Sequence, residues 1–530
     1  MKETSRNGMN SRPAGIRAFA PDKWDVLALV LILLAVTLFF AGYARQLFQT
    51  DTYAKWFYSI AAYRGQYKIN ARYGEWLYME FFYRLMGEPQ HFRAFHVCVA
   101  MGLDAAIVFV LWKVICRGCR AVTPGLRMAA LLPAILLRAN VFFADIFQFG
   151  VDAAPMFIGD LFAVAGGIVI TGGCEAAGSS GAGSGSGRGR LRRFIIGTAC
   201  LMISLFFRQT CVVWFLLTAL LRIFFETADD GRALPFVKKA ARLVISGAIA
   251  ILPSLFAINV IAPSDSRGSF SQIDLSASAR ALGTTLKALL YNCDGVRPKG
   301  LYTALLLIVL AVSLALHAAA SRKAGTLLLK EAAVTAGLLI GTFFPVLFQT
   351  YMPHRITFGF ACILPLWAIL ALRCRALWLR TAGRMKRFLP AAVLCAMFVI
   401  LAADLSASAK IRQGMIETNR IDREDALAYY RLIQDYEEST GITVTKVAWH
   451  YDMYFTWTLP GVIHAGALND RAYCAAWSRR EIFPYAVGRR FEIVPFGEDL
   501  YERYFADRNW DSFDREQVMI IGDTAYIVLY

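Results

Sequence analysis

The sequence predicts a polytopic α-helical membrane protein of about eleven transmembrane helices, followed by a small C-terminal α/β domain. Of its 530 residues, 57% are hydrophobic and 18% are charged, whereas about 25% of the residues of an average soluble protein are charged. The apolar residues form blocks of roughly 20, which are long enough to cross a hydrocarbon core about 30 Å thick. These blocks identify a membrane protein.

The charge distribution supports the same class and argues against a nucleic-acid partner. Residues 409–530 contain 14 Lys and Arg against 19 Asp and Glu, a net charge of −5, so the remaining residues carry +22. Most of this positive charge lies in short loops between apolar blocks, as in the cytoplasmic loops of membrane proteins. A nucleic-acid groove would instead need a basic patch on one folded face.

Residues 1–23 are expected to form a basic cytoplasmic tail, and residues 24–408 the transmembrane domain. The first apolar run is too long for the core of a signal peptide and has no convincing cleavage site, so we interpret it as a retained span. The predicted spans are 24–44, 95–116, 127–146, 153–172, 194–207, 210–225, 243–261, 301–319, 332–349, 357–373 and 388–408.

The two short spans that flank Arg208 have an alternative interpretation as one tilted helix over 194–225. With two helices, all basic clusters between spans lie on the side of the N-terminus, including the Gly/Ser-rich linker 173–193. With one helix, the later clusters would face the opposite side. The positive-inside rule therefore favours a hairpin, with a cytoplasmic N-terminus and an extracytoplasmic C-terminal domain in the plasma membrane.

The largest segments outside the spans are a first outer loop, 45–94, and the tail, 409–530. The loop has aromatic residues at helical spacing, which predicts one or two amphipathic helices at the membrane interface. In the tail, we expect a helix over 422–438 with Asp422 as its N-cap. A strand is predicted over 443–450, and two more strands flank the turn at Gly522–Asp523. Cys293 and Cys474 would both lie outside, so a disulfide between them is an open possibility.

In this topology, polar residues from four separate turns gather at the outer ends of the spans. Taken singly, such residues have ordinary explanations, since arginines at span ends often extend to lipid head groups. Their combination is more informative, because unpaired charges at the edge of an apolar segment are costly. The candidate site residues are Asp51, Lys55, Arg72, Glu75, Asp145, Gln148, Asp152, Arg208, Gln209, His354 and Arg355.

This mixture suits the transfer of a sugar from a lipid phosphate. The departing phosphate needs cationic donors, for which the arginine fork is well shaped. The attacking hydroxyl needs a carboxylate base, and Asp51, just after the first span, is the candidate. The remaining ten residues are candidates for binding the donor phosphate or the substrate.

Several short motifs resemble the GT-C superfamily of polyprenyl-phosphate-sugar-dependent glycosyltransferases, and within it the bacterial O-antigen glucosyltransferases of the Gtr type II-like group. That group has a DDxxR-like motif after the first span, then a Gly-Arg, a Phe-Gln turn and a Tyr-Gln turn. The similar stretches here are DTYAK (51–55), ARY (71–73), IFQFG (146–150), FRQT (207–210) and the tail segment 470–488.

The resemblance implies a GT-C-like fold and a hexosyltransferase of the bacterial cell envelope. Its donor would be a polyprenyl-phosphate sugar, glucose by default, and its acceptor an extracytoplasmic glycan such as a surface polysaccharide or O-antigen. Thr52, Lys55 and Ala71 replace the second acid, the arginine and the glycine of the group's motifs. If the missing acid binds a divalent metal in the group, Glu75 or Asp152 would have to replace it here.

Three other classes of function remain open at this level. A transporter or flippase of lipid-linked saccharides would show inverted repeats or charged, broken helices at mid-membrane. A polysaccharide polymerase or ligase would place arginines in one large central outer loop, and a non-catalytic interaction protein would need no site at all. The sequence predicts neither the oligomeric state nor a metal requirement.

Overall fold

The computed structural model describes residues 22–121, 123–172, 187–261, 273–318, 324–373, 385–453 and 455–530. Almost all of the predicted N-terminal tail and most of the Gly/Ser-rich linker, 173–193, lie outside these residues.

The described chain is mainly helical. Helix α1 begins with a capping box, in which the side chains of Asp22 and Asp25 each accept a backbone N–H. This pairing satisfies N–H groups that the first turn of a helix leaves without partners. The first seventeen helices are α1 Lys23–Phe40, α2 Thr50–Trp56, α3 Ile60–Ile69, α4 Tyr73–Met86, α5 Arg93–Gly118, α6 Pro124–Arg138, α7 Ala144–Phe147, α8 Ala153–Thr171, α9 Gly187–Phe207, α10 Val212–Thr227, α11 Leu234–Phe256, α12 Leu275–Asn292, α13 Leu301–Ala318, α14 Ala324–Phe343, α15 His354–Ala361, α16 Ile363–Arg373 and α17 Met385–Thr440.

Within the described ranges, nine helical segments are long and apolar enough to cross a membrane, and they coincide with nine of the eleven predicted spans. The other two predictions fall on α9, whose first half carries four arginines, and α13, whose apolar part is the shorter segment 301–315. The nine segments are Lys23–Ala44, Pro89–Gly118, Pro124–Phe147, Gly150–Thr171, Gln209–Thr227, Leu234–Ile261, Gly325–Leu347, His354–Arg373 and Pro390–Thr440.

The chain reverses at Arg208, whose backbone is extended with φ −161° and ψ 136°. Both flanking helices pack on α8, where Gly159 lies beside Phe207 and Cys211. Two turns further along α8, Gly166 faces the backbone of Gly197 in α9 and the ring of Phe215 in α10. As α8 proceeds from Gly159 to Gly166, its partners in α9 come earlier in the sequence and its partners in α10 come later. Helices α9 and α10 therefore run side by side as a hairpin and do not form one long helix.

Basic residues gather at one end of the helical bundle. Arg120 and Arg373 each pair with Asp229, at 2.9 Å and 2.7 Å. At the same end, Arg127 pairs with Asp22 at 2.5 Å, next to the start of α1. We call this the basic end; the first-loop helices α2 to α4 and the C-terminal sheet lie at the other end.

The C-terminal part of the chain contains a four-stranded mixed sheet in the order β2-β1-β4-β3. The central strand β1 is parallel to β2 and β4, and β3 is antiparallel to β4. The predicted strands are present, and Gly522 supplies the left-handed φ of +60° that the β3–β4 turn requires. The elements are β1 Lys446–Tyr451, β2 Glu492–Val494, β3 Val518–Ile521 and β4 Thr524–Leu529, with short helices α18 Ala476–Arg479, α19 Ile482–Val487 and α20 Glu498–Tyr504.

Two expectations about the tail differ from the structure. Helix α17 runs without a break through the predicted boundary at 408–409, because no proline follows Pro390 within it. Asp422 is therefore inside a helix and not at an N-cap. Its buried carboxylate accepts from Arg471 Nε at 3.0 Å and from the backbone N–H of Ala472 at 2.5 Å, which fastens the sheet region to α17.

The sheet region also shares its core with the first loop. Phe48 and Tyr53 pack among Tyr429, Trp449 and Phe483 in one cluster of buried residues. Asn419 on α17 holds the backbone of Phe48 through two hydrogen bonds, of 2.6 Å and 2.7 Å. Helix α2, which carries Asp51, is thus positioned by the C-terminal sheet as well as by the bundle. The cysteines of the open disulfide prediction, Cys293 and Cys474, are both free.

Candidate active site

A cavity of about 510 Å³ lies at the end of the bundle opposite the basic end. Its walls come from α2, the start of α4, the turn before α8, the Arg208 hairpin, α11, the segment before α15, and α18. Seven of the eleven candidate residues line it: Asp51, Lys55, Arg72, Asp152, Arg208, Gln209 and Arg355. The other four lie behind this wall or beside it: Glu75, Asp145, Gln148 and His354.

Lys55 and Asp152 form a buried ion pair across the cavity wall. The second carboxylate oxygen of Asp152 accepts from the hydroxyl of Tyr67 at 2.5 Å. Lys55 also lies 5.9 Å from the rings of Tyr67 and Phe149. Burial destabilises the Lys55 ammonium, but Asp152 and Asp51 outweigh this effect and raise its pKa. Lys55 is therefore held as a cation whose charge is matched by Asp152.

Arg72 is paired in a different way, with an acid that lies deeper in the fold. Glu75 is fully buried, and its carboxylate lies 3.5 Å from the Arg72 guanidinium. Neither oxygen of Glu75 accepts a closer hydrogen bond from the described residues. Burial raises the pKa of Glu75, while the nearby Arg72 lowers it. Glu75 thus pairs with Arg72 from behind the cavity wall and does not itself line the cavity.

Arg355 is matched by Asp145, which comes from the turn between α6 and α8. Asp145 accepts from the backbone N–H of Arg355 and from its Nη1, both at 2.9 Å. Gln148 donates to the same carboxylate at 2.5 Å. The Arg355 guanidinium lies 4.9 Å from the ring of Phe149. Asp145 and Gln148 therefore orient Arg355 from behind.

Arg208 is the exception among the cavity cations. It is only 6% exposed, and it makes no ion pair with any residue in the described ranges. Its guanidinium donates a hydrogen bond to the Met156 sulfur, a weak acceptor, at 2.5 Å. Burial and the neighbouring Arg72 lower its pKa to about 10, so it stays protonated at neutral pH. A buried guanidinium without a carboxylate partner favours an anionic ligand.

Asp51 is the corresponding exception among the acids that line the cavity. Its Oδ1 accepts from the indole N–H of Trp477 at 3.0 Å. Unlike Asp152, it forms no ion pair within the described part of the chain. It lies in the first turn of α2, where Gln49 caps the helix by accepting from the Asp51 backbone N–H at 2.9 Å. Asp51 therefore presents to the cavity a carboxylate without an ion-pair partner in the described chain, although it favours the charged forms of Lys55 and Arg355 from a distance.

The remaining two candidates make modest contributions. Gln209 lines the cavity, and its Nε2 reaches the carbonyl of Asn70 at 3.4 Å. His354 is buried away from it, with Nε2 2.9 Å from the carbonyl of Cys293 and its ring against Phe142. His354 joins α15 to the turn after α12, and its place in the fold gives it no contact with a ligand in the cavity.

One wall of the cavity is apolar. It consists of residues from α11 and the π-helical segment after it, and of residues from the short helix after α14. The opposite face of α11 exposes large side chains, as expected for a surface against lipid. The cavity thus combines a charged wall with an apolar wall. The apolar wall is formed by Ile251, Leu255, Ile258, Phe344, Pro345 and Phe348.

The carboxylates of this site do not suit a divalent metal. Asp152 is occupied by Lys55 and Tyr67, and Asp145 by Arg355 and Gln148. Glu75 is turned toward Arg72. Calcium and magnesium need several converging oxygen ligands, and no group of three potential ligand side chains occurs among the residues that the structure describes. Neither Glu75 nor Asp152 is therefore free to bind a metal ion.

Three residues of the site, Tyr67, Arg93 and Trp477, are not among the eleven candidates that the sequence predicts. Tyr67 and Trp477 hold Asp152 and Asp51, yet each was only one of many aromatic residues in its segment. Arg93 donates to the carbonyls of Tyr43 at 2.9 Å and Gln148 at 3.0 Å, which fixes the turn before α8. The sequence could have indicated Arg93, because it is a basic residue at the start of an apolar span.

Comparison with models of protein families, with curated proteins and with solved structures gave no match. The fold and the cavity therefore define the class on their own: a helical membrane protein with a charged, partly apolar cavity at one end of its bundle.

Proposed function

We propose that the protein is a membrane glycosyltransferase of the GT-C type. It transfers a hexose, by default glucose, from a polyprenyl-phosphate donor to an extracytoplasmic glycan. The observation that carries this proposal is the pair of unmatched opposite charges, Arg208 and Asp51, in one cavity with an apolar wall. Each of the other charged residues that line the cavity is matched by a partner.

The donor fits the Arg208 side of the cavity. A sugar phosphodiester carries one negative charge, which matches the one unpaired guanidinium among the described lining residues. Arg72 and Arg355 flank it with donors already oriented by Glu75 and Asp145. The polyprenyl chain would lie along the apolar wall, where its burial is favoured in proportion to area. Lipid and phosphate recognition are thus adjacent.

The acceptor reaction uses Asp51. The acceptor hydroxyl attacks the anomeric carbon, its proton passes to Asp51, and the bond from that carbon to the phosphate oxygen breaks. The configuration at the anomeric carbon is inverted. The leaving polyprenyl phosphate gains one negative charge, and pre-oriented arginines stabilise this charge in the transition state. No step requires a metal ligand.

The orientation follows from the charges at the two ends. If the basic end faces the cytoplasm, the cavity and the sheet region face outward. The acceptor would then be a surface polysaccharide or O-antigen, and the membrane would be the plasma membrane of a bacterium.

One observation favours the alternative, a transporter or flippase of lipid-linked saccharides. Arg138 is fully buried inside the bundle, where it pairs with Asp104 and Asp160, both at 2.6 Å. Charged groups at such depth often mark transport pathways. However, three aromatic rings enclose the guanidinium, at 4.4 to 4.7 Å. Asp104, Arg138 and Asp160 do not line the cavity, which favours a structural role.

The deciding experiment replaces the native gene by Asp51→Asn in whole cells. Mass spectrometry then follows the surface glycan and the polyprenyl-phosphate sugars. We expect the glycan to lose one sugar while its lipid-linked donor accumulates, because an amide cannot accept the proton. Glu80→Gln is the matched control, since Glu80 pairs with Arg64 and Arg84 outside the cavity. Wild-type pools in the Asp51 variant would contradict the proposal.

A further inference from the structure

Trp477 is a large aromatic side chain left half-exposed at the edge of the cavity. It is 48% exposed, whereas Trp449 in the same region is 7% exposed and belongs to the core. Its short helix, α18, packs against α2. The hydroxyl of the next residue, Ser478, donates to the carbonyls of Ala472 at 2.5 Å and Ala475 at 3.0 Å. The turn is therefore fixed in a form that keeps the indole at the cavity.

The indole is also tied to the candidate base. Its N–H donates to Oδ1 of Asp51 at 3.0 Å, which orients the carboxylate. The other oxygen, Oδ2, accepts no hydrogen bond from the described part of the chain. A hydroxyl bound at Oδ2 would lie next to the indole, because both groups line the same cavity.

We propose that Trp477 forms the acceptor subsite: a pyranose ring of the acceptor glycan packs on its indole face, with the attacking hydroxyl at Oδ2 of Asp51. This inference rests on the proposed glycosyltransferase function. An aromatic face carries partial negative charge and attracts the weakly positive C–H groups of a sugar ring. Nearby amides, from Gln66, Asn70 and Gln349, also line the cavity and supply neutral partners for sugar hydroxyls.

The subsite gives the C-terminal region a role in the reaction. The bundle supplies the arginines and the apolar wall for the donor, while α18 contributes the surface for the acceptor. Asp51 lies where the two meet, since α2 packs on both. Acceptor recognition and donor recognition therefore depend on different residues and can be separated by mutation.

The test uses the full chain in lipid nanodiscs with a short-chain polyprenyl phosphate carrying radiolabelled glucose. The acceptor is the surface glycan extracted from cells that lack the gene. Two rates are measured: transfer to the glycan, and slow hydrolysis of the donor by water when no glycan is present. The variants are Trp477→Ala and Trp477→Phe. Trp457→Ala is the matched control, because Trp457 is 58% exposed in the same region and does not line the cavity.

For Trp477→Ala we expect the KM for the glycan to rise about twofold to tenfold, the scale of a lost aromatic contact. Hydrolysis of the donor does not involve the glycan, so any loss of hydrolysis measures only the lost hydrogen bond to Asp51. We expect transfer to the glycan to fall further than hydrolysis does. Trp477→Phe keeps a ring and gives an intermediate KM, and the control variant behaves as wild type.

Two outcomes would overturn the acceptor subsite. One is an unchanged KM for the glycan in both Trp477 variants. The other is a proportional loss of hydrolysis and transfer in Trp477→Phe, which would make Trp477 a positioning residue for Asp51 alone. If the wild-type protein neither transfers nor hydrolyses the donor, the proposed function itself fails, and this result is distinct from both.

Discussion

At the residue scale, the charged groups of the cavity divide into matched and unmatched ones. Lys55 and Arg355 are cations with a fixed carboxylate partner, at Asp152 and Asp145. Arg208 has none among the described residues, and its burial makes this costly in the absence of a ligand. Glu75 favours the Arg208 charge from a distance, and an anion bound in the cavity would offset more of this cost.

Replacing Arg208 by lysine tests this distinction. Lysine keeps the charge but loses the planar fork that contacts two phosphate oxygens together. We expect the rate of transfer to fall by about 100-fold, the scale seen when one transition-state donor is removed. Steady-state kinetics with the polyprenyl-phosphate donor would measure it.

Arg64→Lys is the matched control for this variant. Arg64 lies on α3 in the first loop and pairs with Glu80 at 2.9 Å outside the cavity, so the activity of this variant should match wild type. If Arg208→Lys is as active as this control, Arg208 does not contact the donor phosphate.

At the element scale, glycines set the spacing of the helices around α8. A Cβ atom at Gly167 would lie 2.9 Å from the carbonyl oxygen of Phe215 and 3.1 Å from Cβ of Thr218. Close backbone approach through small residues is how helices associate where lipid removes the hydrophobic driving force. The position of α10, and of the Arg208 turn before it, depends on this contact.

We therefore expect Gly167→Ala to destabilise the protein by about 1–3 kcal/mol, as overpacking does. Thermal unfolding in detergent should show a lower midpoint. The control is Gly102→Ala, since a Cβ atom at this helical glycine meets nothing within 4 Å. It should leave the midpoint unchanged or raise it, because alanine restricts the unfolded chain. Equal midpoints for the two variants would show that α8 and α10 are not packed this closely.

At the scale of the whole molecule, the two ends of the bundle have different characters. One end gathers basic residues around Asp229 and Asp22. The other carries the cavity, the first-loop helices and the sheet. This separation is the basis of the orientation that we propose for the molecule in a membrane.

Single cysteines test that direction. We expect Lys299→Cys, exposed near the cavity end, to react with a membrane-impermeant maleimide in intact cells. Arg232→Cys, exposed at the basic end, should react only after the cells are permeabilised. Both are made with the exposed Cys98 and Cys395 replaced by serine. The reverse pattern would invert the topology and place the cavity in the cytoplasm.

The sequence by itself determined the class of the fold. Apolar blocks of membrane length predicted the nine helical segments that are long and apolar enough to cross a membrane in the described chain, because this signal is local in the chain. Local patterns also gave the strands around Gly522. They failed at Asp422, since the capping signal of an acid before a helix is the same whether or not the preceding helix ends there.

The tertiary structure alone decided which charges are matched. Nothing in the sequence pairs Lys55 with Asp152, residues 97 apart, or Trp477 with Asp51, residues 426 apart. Pairing depends on which turns the packed helices bring together, and that is set by contacts such as those of Gly166 and Gly167 with their neighbours. The sequence predicted that polar residues from several turns lie at the same end of the bundle. Only the packing of the whole chain distinguished the residues that line the cavity from those that lie behind it.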